Sequence, residues 1–563
     1  MIVSRGVERC GRESSLLSLR RLGEVISTLA FGAWAWLLSP GIYLANWRME
    51  VARSLASLQI SYGEAAIVGL QLLLLGSLSI YGAHRLVLLA ACRRRKSAPP
   101  PPPPPHPHMG ALPRVTVQAP VYNERFVVED LIESLCRLEY PRDRLEIQIL
   151  DDSTDETTEI VRRAVERQAA LGAPIRLLHR PHREGFKAGA LAAGLDSASG
   201  DLTAIFDADF APPPDFLLRA VPYFNDAEVG AVQGRWTHQN RDASLLTRVQ
   251  AVLIDAHFVV EQGARSADGL FFNFNGTAGV LRRSMIDDAG GWQSDTLTED
   301  ADLSYRAQLR GWKFLYLDDL EAPSQLPSEL ESFQRQQARW AKGLTQTALK
   351  LLPALWRSGQ PWRIKVEGVM HLTANFAFPA MALLSAIALP ASMARADADA
   401  TWLQAIDAAL FLFTSGALML FYALPQLELH GVRWLRRIWL LPAALAIAVA
   451  LTLSNTRAVI EALRGVDSPF ERTFKNHPLT GGSTAERGRG GWLPRLNLAV
   501  GVYFIAAMAY AAWSGSWALT PFLAPFAAGY LYAGAAAWRS VTARLWAFGA
   551  AKALARRPAR SSA

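Results

Sequence analysis

The spacing of apolar and polar positions divides the chain into three parts. Two apolar blocks, before about residue 92 and after about residue 366, enclose a stretch patterned like an ordinary soluble domain. In the first block the runs 22–46 and 64–92 each exceed the roughly 20 apolar residues needed to cross a bilayer. Arg20 and Arg21 precede the first run, and Arg93, Arg94, Arg95 and Lys96 follow the second. Basic flanks gather on the cytoplasmic side, so both ends of this predicted hairpin face the cytoplasm. The first run is long and lacks a small-residue cleavage pattern, which makes it a retained anchor. Seven consecutive prolines (99–105) then predict a polyproline II spacer with no core of its own.

The middle stretch alternates short strands with amphipathic helices. Strands are expected over 114–119, 146–150 and 202–206, and helices over 127–138 and 154–171, the latter with capping residues at its start. Such alternation predicts a mostly parallel, doubly wound, Rossmann-like α/β sheet, with ligands outside the carboxyl ends of its strands. The last block offers apolar candidates at 368–394, 402–425, 437–455, 496–515 and 517–537. The predicted domains are therefore 1–98 with two spans, a linker at 99–110, an α/β domain at 111–345 and a second membrane region at 346–563.

Composition supports the membrane reading. Of the 563 residues, 51% are hydrophobic and 19% charged, where soluble proteins carry roughly a quarter charged. The formal charge of +8 could indicate nucleic acid, but the basic residues cluster beside the apolar runs and no nucleic-acid-binding signature accompanies them. No nucleic-acid partner is expected. The three cysteines, Cys10, Cys92 and Cys136, are too scattered for a disulfide framework or a zinc site.

Four short segments carry the candidate chemistry. Residues 205–209 read as an apolar strand ending in Asp207 and Asp209, which on an extended chain point the same way. Two such carboxylates suit Mg²⁺ or Mn²⁺, which stabilises a departing diphosphate, although two acids in a surface turn look the same. Asp151 and Asp152 close an earlier strand, where they can receive a base and ribose. Thr298-Glu299-Asp300 opens a later helix, and a capping Thr298 explains that segment equally well. Gln336, Arg339 and Trp340 form a Gln-x-x-Arg-Trp pattern that offers a cation for a diphosphate and an indole for a sugar face. A helix with its Trp at the membrane surface is the bland account of that pattern.

In order and spacing these segments resemble the processive family 2 glycosyltransferases: cellulose, chitin and hyaluronan synthases. The likeness is strongest to the plant cellulose synthase-like A and C groups, which make mannan and glucan backbones. The resemblance rests on 118–124, 150–155, 185–191 (GFKAGAL), 204–210, 274–280 (FNGTAGV), 289–292, 298–317 and 326–340. It implies a GT-A domain inserted between transmembrane helices. It also implies that Asp151 and Asp152 contact the nucleoside, that Asp207 and Asp209 hold the metal, and that Lys187 lies near the nucleotide. Asp300 would be the general base beside Glu299, with Gln336, Arg339 and Trp340 lining the acceptor and diphosphate site. Asn275, Gly276 and Thr277, which also spell a glycosylation sequon, would instead approach the acceptor sugar.

Residues 470–475 resemble the gating loop of cellulose synthases, placed at about 466–480, with Thr473 and Lys475 matching and Arg472 standing where the family has Val. A gate over a cytoplasmic site requires an even number of crossings between Trp340 and Phe470. The segment 437–464, which carries Arg437, Asn455, Arg457 and Glu461, is accordingly predicted to be interfacial. About six spans plus interfacial helices result, with the acidic loop at Asp397 and Asp399 outside. The basic tail with Arg556, Arg557 and Arg560 falls inside.

The expected function is an inverting polymerase making a β-linked glucan or mannan, with β-1,4 linkage, from UDP-glucose or GDP-mannose and translocating it. Its partners would be the nucleotide-sugar donor, the growing polysaccharide, the lipid bilayer and accessory export subunits. The alternatives are a glycosyltransferase adding one sugar to a membrane lipid and a non-catalytic transport or scaffold subunit. Frequent Ala and Arg point to a bacterial inner membrane, with the catalytic domain cytoplasmic.

Overall fold

The computed structural model describes residues 61–96, 112–397, 401–468, 492–513 and 520–555. The predicted span 22–46, the polyproline run, and Thr473 and Lys475 lie outside these residues. A helix α1 (Tyr62–Lys96) comes first. Next come β1 (Val115–Val121), α2 (Val128–Cys136), β2 (Leu145–Asp151), α3 (Thr157–Ala170), β3 (Ile175–His179), α4 (Phe186–Asp196) and β4 (Leu202–Ile205). The domain continues through α5 (Phe216–Ala220), β5 (Val229–His238), α6 (Leu245–Ala256), a π-helical turn (His257–Gln262) and α7 (Gly263–Ala267). It closes with β6 (Gly279–Arg282), α8 (Arg283–Asp288), α9 (Glu299–Leu309) and β7 (Lys313–Ser324).

The strands form one seven-stranded sheet of order β3-β2-β1-β4-β6-β5-β7. All neighbours are parallel except β6, which runs antiparallel to β4 and β5. β1 and β4 are buried on both faces, and their polar Thr116, Gln118 and Thr203 are buried with the apolar positions between them. Alternate side chains feed two cores. Ile147, Ile149, Ala204 and Phe206 join the core under α2 and α3, while Leu150 and Ile205 join the one under α4 and α9. In α2 the buried Val128, Leu131, Ile132 and Leu135 recur at helical spacing, as the sequence pattern predicts.

Helix α3 starts three residues later than expected. Its N-cap residue, Glu156, makes no side-chain cap; Asp155 Oδ1 instead accepts from Thr157 N at 2.9 Å, and Thr154 N donates to Asn123 Oδ1. The polar residues read as caps therefore build the loop beside β1.

Helices follow the domain: α10 (Leu330–Arg357), α11 (Trp362–Leu372), α12 (Ala377–Asp397), α13 (Thr401–His430), α14 (Leu440–Ala450), α15 (Thr452–Leu463), α16 (Trp492–Trp513) and α17 (Thr520–Ala555). Four helices are long and apolar enough to cross a membrane among the described residues: Tyr62–Arg94, Ala374–Ala394, Ala405–His430 and Trp492–Trp513. These apolar helices flank the α/β domain in the chain, as a membrane protein requires. The segment expected to be interfacial is a helix pair, α14 and α15, bent by 43°. The bend falls where the all-apolar α14 gives way to a run containing Asn455, Arg457 and Glu461. The described part of the predicted span 517–537, from Thr520, lies in α17 but is not among the four, because Pro, Gly and Tyr dilute its apolar content.

The chain divides into two compact units, Met1–Ile80 with Ala380–Ser415, and Tyr81–Pro379 with Gly416–Ala563. In the smaller unit, Leu74, Leu75 and Leu384 pack together, and Gln71 donates to Asp407 at 3.3 Å. The sheet and every residue discussed below belong to the larger unit.

Candidate active site

From β1 the chain builds outward to β2 and β3, then returns to place β4 on the other side of β1. The crevice at the carboxyl ends of β1 and β4 is therefore the switch point of the sheet, where open α/β sheets bind ligands. An open cleft of about 1230 Å³ lies there. Of the residues singled out in the sequence, Asp152, Lys187, Asp207, Asp209, Asn275, Gly276, Glu299, Asp300, Gln336, Arg339 and Trp340 line it.

Asp207 and Asp209 reach the cleft by a different route from the one expected. Strand β4 stops at Ile205, and Asp207 to Phe210 form a turn closed by Phe210 N donating to Asp207 O at 3.0 Å. The turn, not strand alternation, brings both carboxylates to one side. Thr277 does not line the cleft. It is fully buried, and its Oγ1 accepts from Asp207 N at 2.9 Å, which holds that turn in place.

Asp151 also departs from expectation. Its carboxylate is fully buried and accepts from Ser153 N (3.0 Å), Thr158 Oγ1 (2.7 Å) and His179 Nδ1 (2.9 Å). Those bonds fix the loop after β2 and leave Asp152 as the acid at the cleft. Asp152 is gripped by Arg180 through a two-pronged pair at 2.7 and 2.6 Å. Each carboxylate oxygen accepts more than one bond, so Asp152 keeps acceptor capacity for a ligand.

Lys187, one residue into α4, donates to Asp207 Oδ1 at 2.5 Å and to Gly276 O at 2.9 Å. Burial alone would depress its ammonium, but Asp207, Glu299 and Asp300 outweigh that and hold its pKa above the ordinary value. Gly276 sits at φ +78°, and a Cβ there would stand 2.9 Å from Asp300 Oδ2 and 3.4 Å from Lys187 Nζ. Only glycine lets this loop approach the acid and the lysine together. Asn123, Phe186 and Ala278 also adopt positive φ, at 56°, 51° and 55°, each within two residues of one that lines the cleft. Such strain concentrates where a site dictates the backbone.

Thr298 occupies the N-cap position of α9 but makes no side-chain cap; its hydroxyl lies 3.2 Å from that of Thr347. The capping explanation of this motif therefore fails. Asp300, in the first turn of α9, accepts from Ala301 N at 2.8 Å. Burial and the adjacent Glu299 push its pKa up to about 7, against the opposing pull of Lys187 and Arg339. A carboxyl poised there exchanges a proton readily near neutral pH.

Helix α10 carries Gln336, Arg339 and Trp340 to the opposite wall. It lies against α9 at Gly343, where a Cβ would fall 2.5 Å from Thr298 Cγ2 and 2.8 Å from Thr298 N. Gly343→Val should therefore cost about 1–3 kcal/mol of stability by overpacking and lower activity by displacing the Thr298–Asp300 segment. Thermal unfolding and initial rates measure the two effects, and a variant as stable and active as the parent would show that this contact yields freely.

The sequence did not single out Arg180, Arg183, Tyr122 or Trp236. Arg183 lies over the Tyr122 ring, 3.5 Å from its centroid, at the rim of the cleft. Trp236, at the end of β5, stands 6.4 Å from Trp340 and 5.1 Å from Phe258, ring centre to ring centre, making an aromatic wall. The basic run His179–Arg183 just before the GFKAGAL segment was the one available signal for the two arginines. Trp236 offered none, because an aromatic at a strand end reads as core.

A doubly wound sheet with an antiparallel insertion, acids at its switch point and a basic-aromatic helix opposite is a GT-A fold. Residues 113–343 match the family described as glycosyltransferase like family 2. The chain is 43% identical over 277 residues to glucomannan 4-beta-mannosyltransferase 1 of Oryza sativa subsp. japonica, covering 48% of this chain and 53% of that protein. With glucomannan 4-beta-mannosyltransferase 2 of Arabidopsis thaliana it shares 46% over 251 residues, 44% of this chain and 47% of the relative. The chain thus spans about half the length of the curated relatives it matches. A mannosyltransferase from Pyrobaculum calidifontis, solved in complex with GDP-Man and Mn²⁺, shares the fold at a TM-score of 0.50 and 24% identity. That likeness covers 71% of this chain and 100% of the other.

Proposed function

We propose that the protein is a membrane-embedded, inverting and processive glycosyltransferase that builds a β-1,4-linked mannan or glucomannan from GDP-mannose. The observation that carries this reading is the convergence of Asp152, Asp207, Asp209, Asp300 and Arg339 on one cleft at the switch point of the sheet. GDP-mannose is favoured over UDP-glucose by the plant relatives, whose names give mannosyl transfer into glucomannan, and by the GDP-Man bound to the fold neighbour.

The residues divide the work by chemistry. Asp152 and Arg183 receive the nucleoside, and Lys187 and Arg339 neutralise the diphosphate through charge-assisted bonds. Trp340 and Trp236 hold sugar faces. Asp300 takes the proton from the acceptor hydroxyl as it attacks the anomeric carbon. Direct attack inverts that carbon, so an α-linked donor gives a β-linked product and no covalent sugar–enzyme intermediate forms.

A divalent cation fits the acid pair. Asp207 keeps 35% of its side chain exposed at the cleft. Among the described residues no three His, Cys, Asp or Glu side chains gather as a complete ligand set. A site of two carboxylates, completed by diphosphate oxygens and water, is the usual arrangement for Mg²⁺ and related hard cations. Asp207 and Asp209 would hold Mg²⁺ or Mn²⁺, which when bound offsets the charge of the departing diphosphate.

The domain boundaries, the cytoplasmic placement of the cleft, gating by the segment with Thr473 and Lys475, and export with accessory subunits belong to the same proposal. The relatives are plant enzymes and lend no support to a bacterial inner membrane. The test is transfer of radiolabelled sugar by purified protein in lipid vesicles. GDP-mannose should yield a polymer and UDP-glucose alone should not. A labelled lipid with no polymer would replace polymerisation by glycolipid synthesis.

A further inference from the structure

Helix α10 has two faces with different neighbours. At about 3.6 residues per turn, Gln334, Ala338, Ala341 and Lys342 fall on one face and Gln336, Arg339 and Trp340 on the other. The second face lines the cleft. The first lies against the bent pair α14 and α15, and meets it at three places. Gln334 Nε2 donates at 2.8 Å to the carbonyl of Ala450, the last residue of α14, where the pair bends. Ala338 and Ala341 pack with Ala458 and Val459 of α15. Lys342 Nζ donates to Glu461 Oε2 at 3.3 Å and to Ser468 Oγ just beyond α15.

These contacts differ in kind. Apolar burial has no preferred direction, so the alanine and valine contacts alone leave α10 free to slide or turn on α15. The Gln334 amide and the Lys342 ammonium remove that freedom, because each must meet one particular acceptor. Lys342 is only 3% exposed, and a lysine is almost never buried so far unless it is paired. Glu461 is held in turn from within α15, where it accepts from Arg457 Nε at 2.7 Å. A buried ion pair adds little net stability, since both charges give up water to form it. Its contribution here is direction: it sets one register between two helices.

That register reaches the cleft over a very short path. Arg339 and Trp340 stand three and two residues before Lys342, and Gly343, one residue after it, presses on Thr298 of the segment that carries Asp300. A misplacement of about 1 Å at a group that must meet a reacting centre costs on the order of a hundredfold in rate.

We infer that Lys342 is a positioning residue: with Glu461 it fixes the register of α10 against α15 and thereby holds Arg339 and Trp340 at the cleft. This rests on the proposed function only in taking Arg339 to meet the diphosphate of a nucleotide.

The experiment compares the full-length parent with Lys342→Met, Glu461→Leu and the double variant. Thermal unfolding, calorimetric titration with GDP and Mn²⁺, and the ¹⁹F resonance of 5-fluorotryptophan at position 340 are measured on each. Loss of a signal in Trp340→Phe assigns that resonance. Each single variant should unfold at a lower temperature, because it leaves a charge without its partner, and the double variant should regain most of the loss. GDP affinity should nevertheless fall roughly tenfold in all three, the scale of one misaligned charge-assisted bond. The Trp340 resonance should shift in Glu461→Leu, although that substitution lies on another helix. If Glu461→Leu does not fold, Glu461→Gln, which keeps the shape and removes the charge, replaces it. A double variant that regains GDP affinity together with stability would make the pair a structural one and overturn the inference. An unmoved Trp340 resonance in the folded Glu461 variant would overturn it as well. Parent protein that does not bind GDP sinks the proposed donor, while the Trp340 resonance still decides this inference.

Discussion

Asp300→Asn should lower the rate of sugar transfer by about 10²–10⁴-fold, the usual contribution of a positioned general base. The substitution is nearly isosteric, and an amide oxygen still accepts from Ala301 N, so the first turn of α9 should persist. Donor binding should also persist, because the diphosphate is assigned to Lys187, Arg339 and the Asp207–Asp209 turn. Initial rates with labelled donor, alongside calorimetric titration of GDP, separate the two effects. Transfer at the parental rate would remove Asp300 from the chemistry.

The same residue sets the expected pH dependence. The active form of a general base is its carboxylate, and burial beside Glu299 pushes the Asp300 pKa up to about 7. The protonated, inactive form therefore dominates below that value. kcat/KM should climb about tenfold per pH unit on the acid side and level off above neutrality. The acid limb should vanish in the residual activity of Asp300→Asn. A limb that survives unchanged in this variant would assign it to another group.

Asp207→Asn and Asp209→Asn should each lower kcat by about 10²–10³-fold, the scale on which a preorganised charge stabiliser is lost from a site. Neutralising Asp207 also strips Lys187 of the carboxylate it meets at 2.5 Å. Asp209→Asn keeps the Asp207 carboxylate opposite Lys187, so comparing the two reports on that pairing. Mn²⁺ binding in the presence of GDP, followed by electron paramagnetic resonance, gives a readout that needs no turnover. It should weaken in both variants, and chelation should abolish parental activity reversibly. Unchanged Mn²⁺ binding in both would place the cation elsewhere.

Helix α2 and strands β1, β2 and β4 were legible because each carries a period that only one element satisfies. Val128, Leu131, Ile132 and Leu135 repeat at helical spacing, while β1 and β2 alternate apolar and polar positions over seven residues each. The cleft was legible for a related reason: acids at strand ends fall on the edge where an open α/β sheet binds. Local chemistry was harder to read. Asp151 and Asp152 are adjacent and identical in type, yet one is sealed inside a loop and the other faces the cleft. A change of strand face between neighbours, together with the arrival of His179 from β3, separates them.

The sequence alone determined the alternating α/β core, the apolar helices flanking it, and the acid, amide and indole types gathered for a reaction, since periodicity and composition are local properties of the chain. Tertiary structure decided which of those groups share a cleft and in what state. Arg180 reaches Asp152 across 28 positions, Thr277 holds the Asp207 turn across 70, and Glu261 meets Arg85 of α1 from a turn that no pattern announced. Burial that lifts Asp300 towards neutrality depends on every element packed around it. Contacts and desolvation of this kind are set by chain segments far apart in sequence, and only the folded molecule brings them to one place.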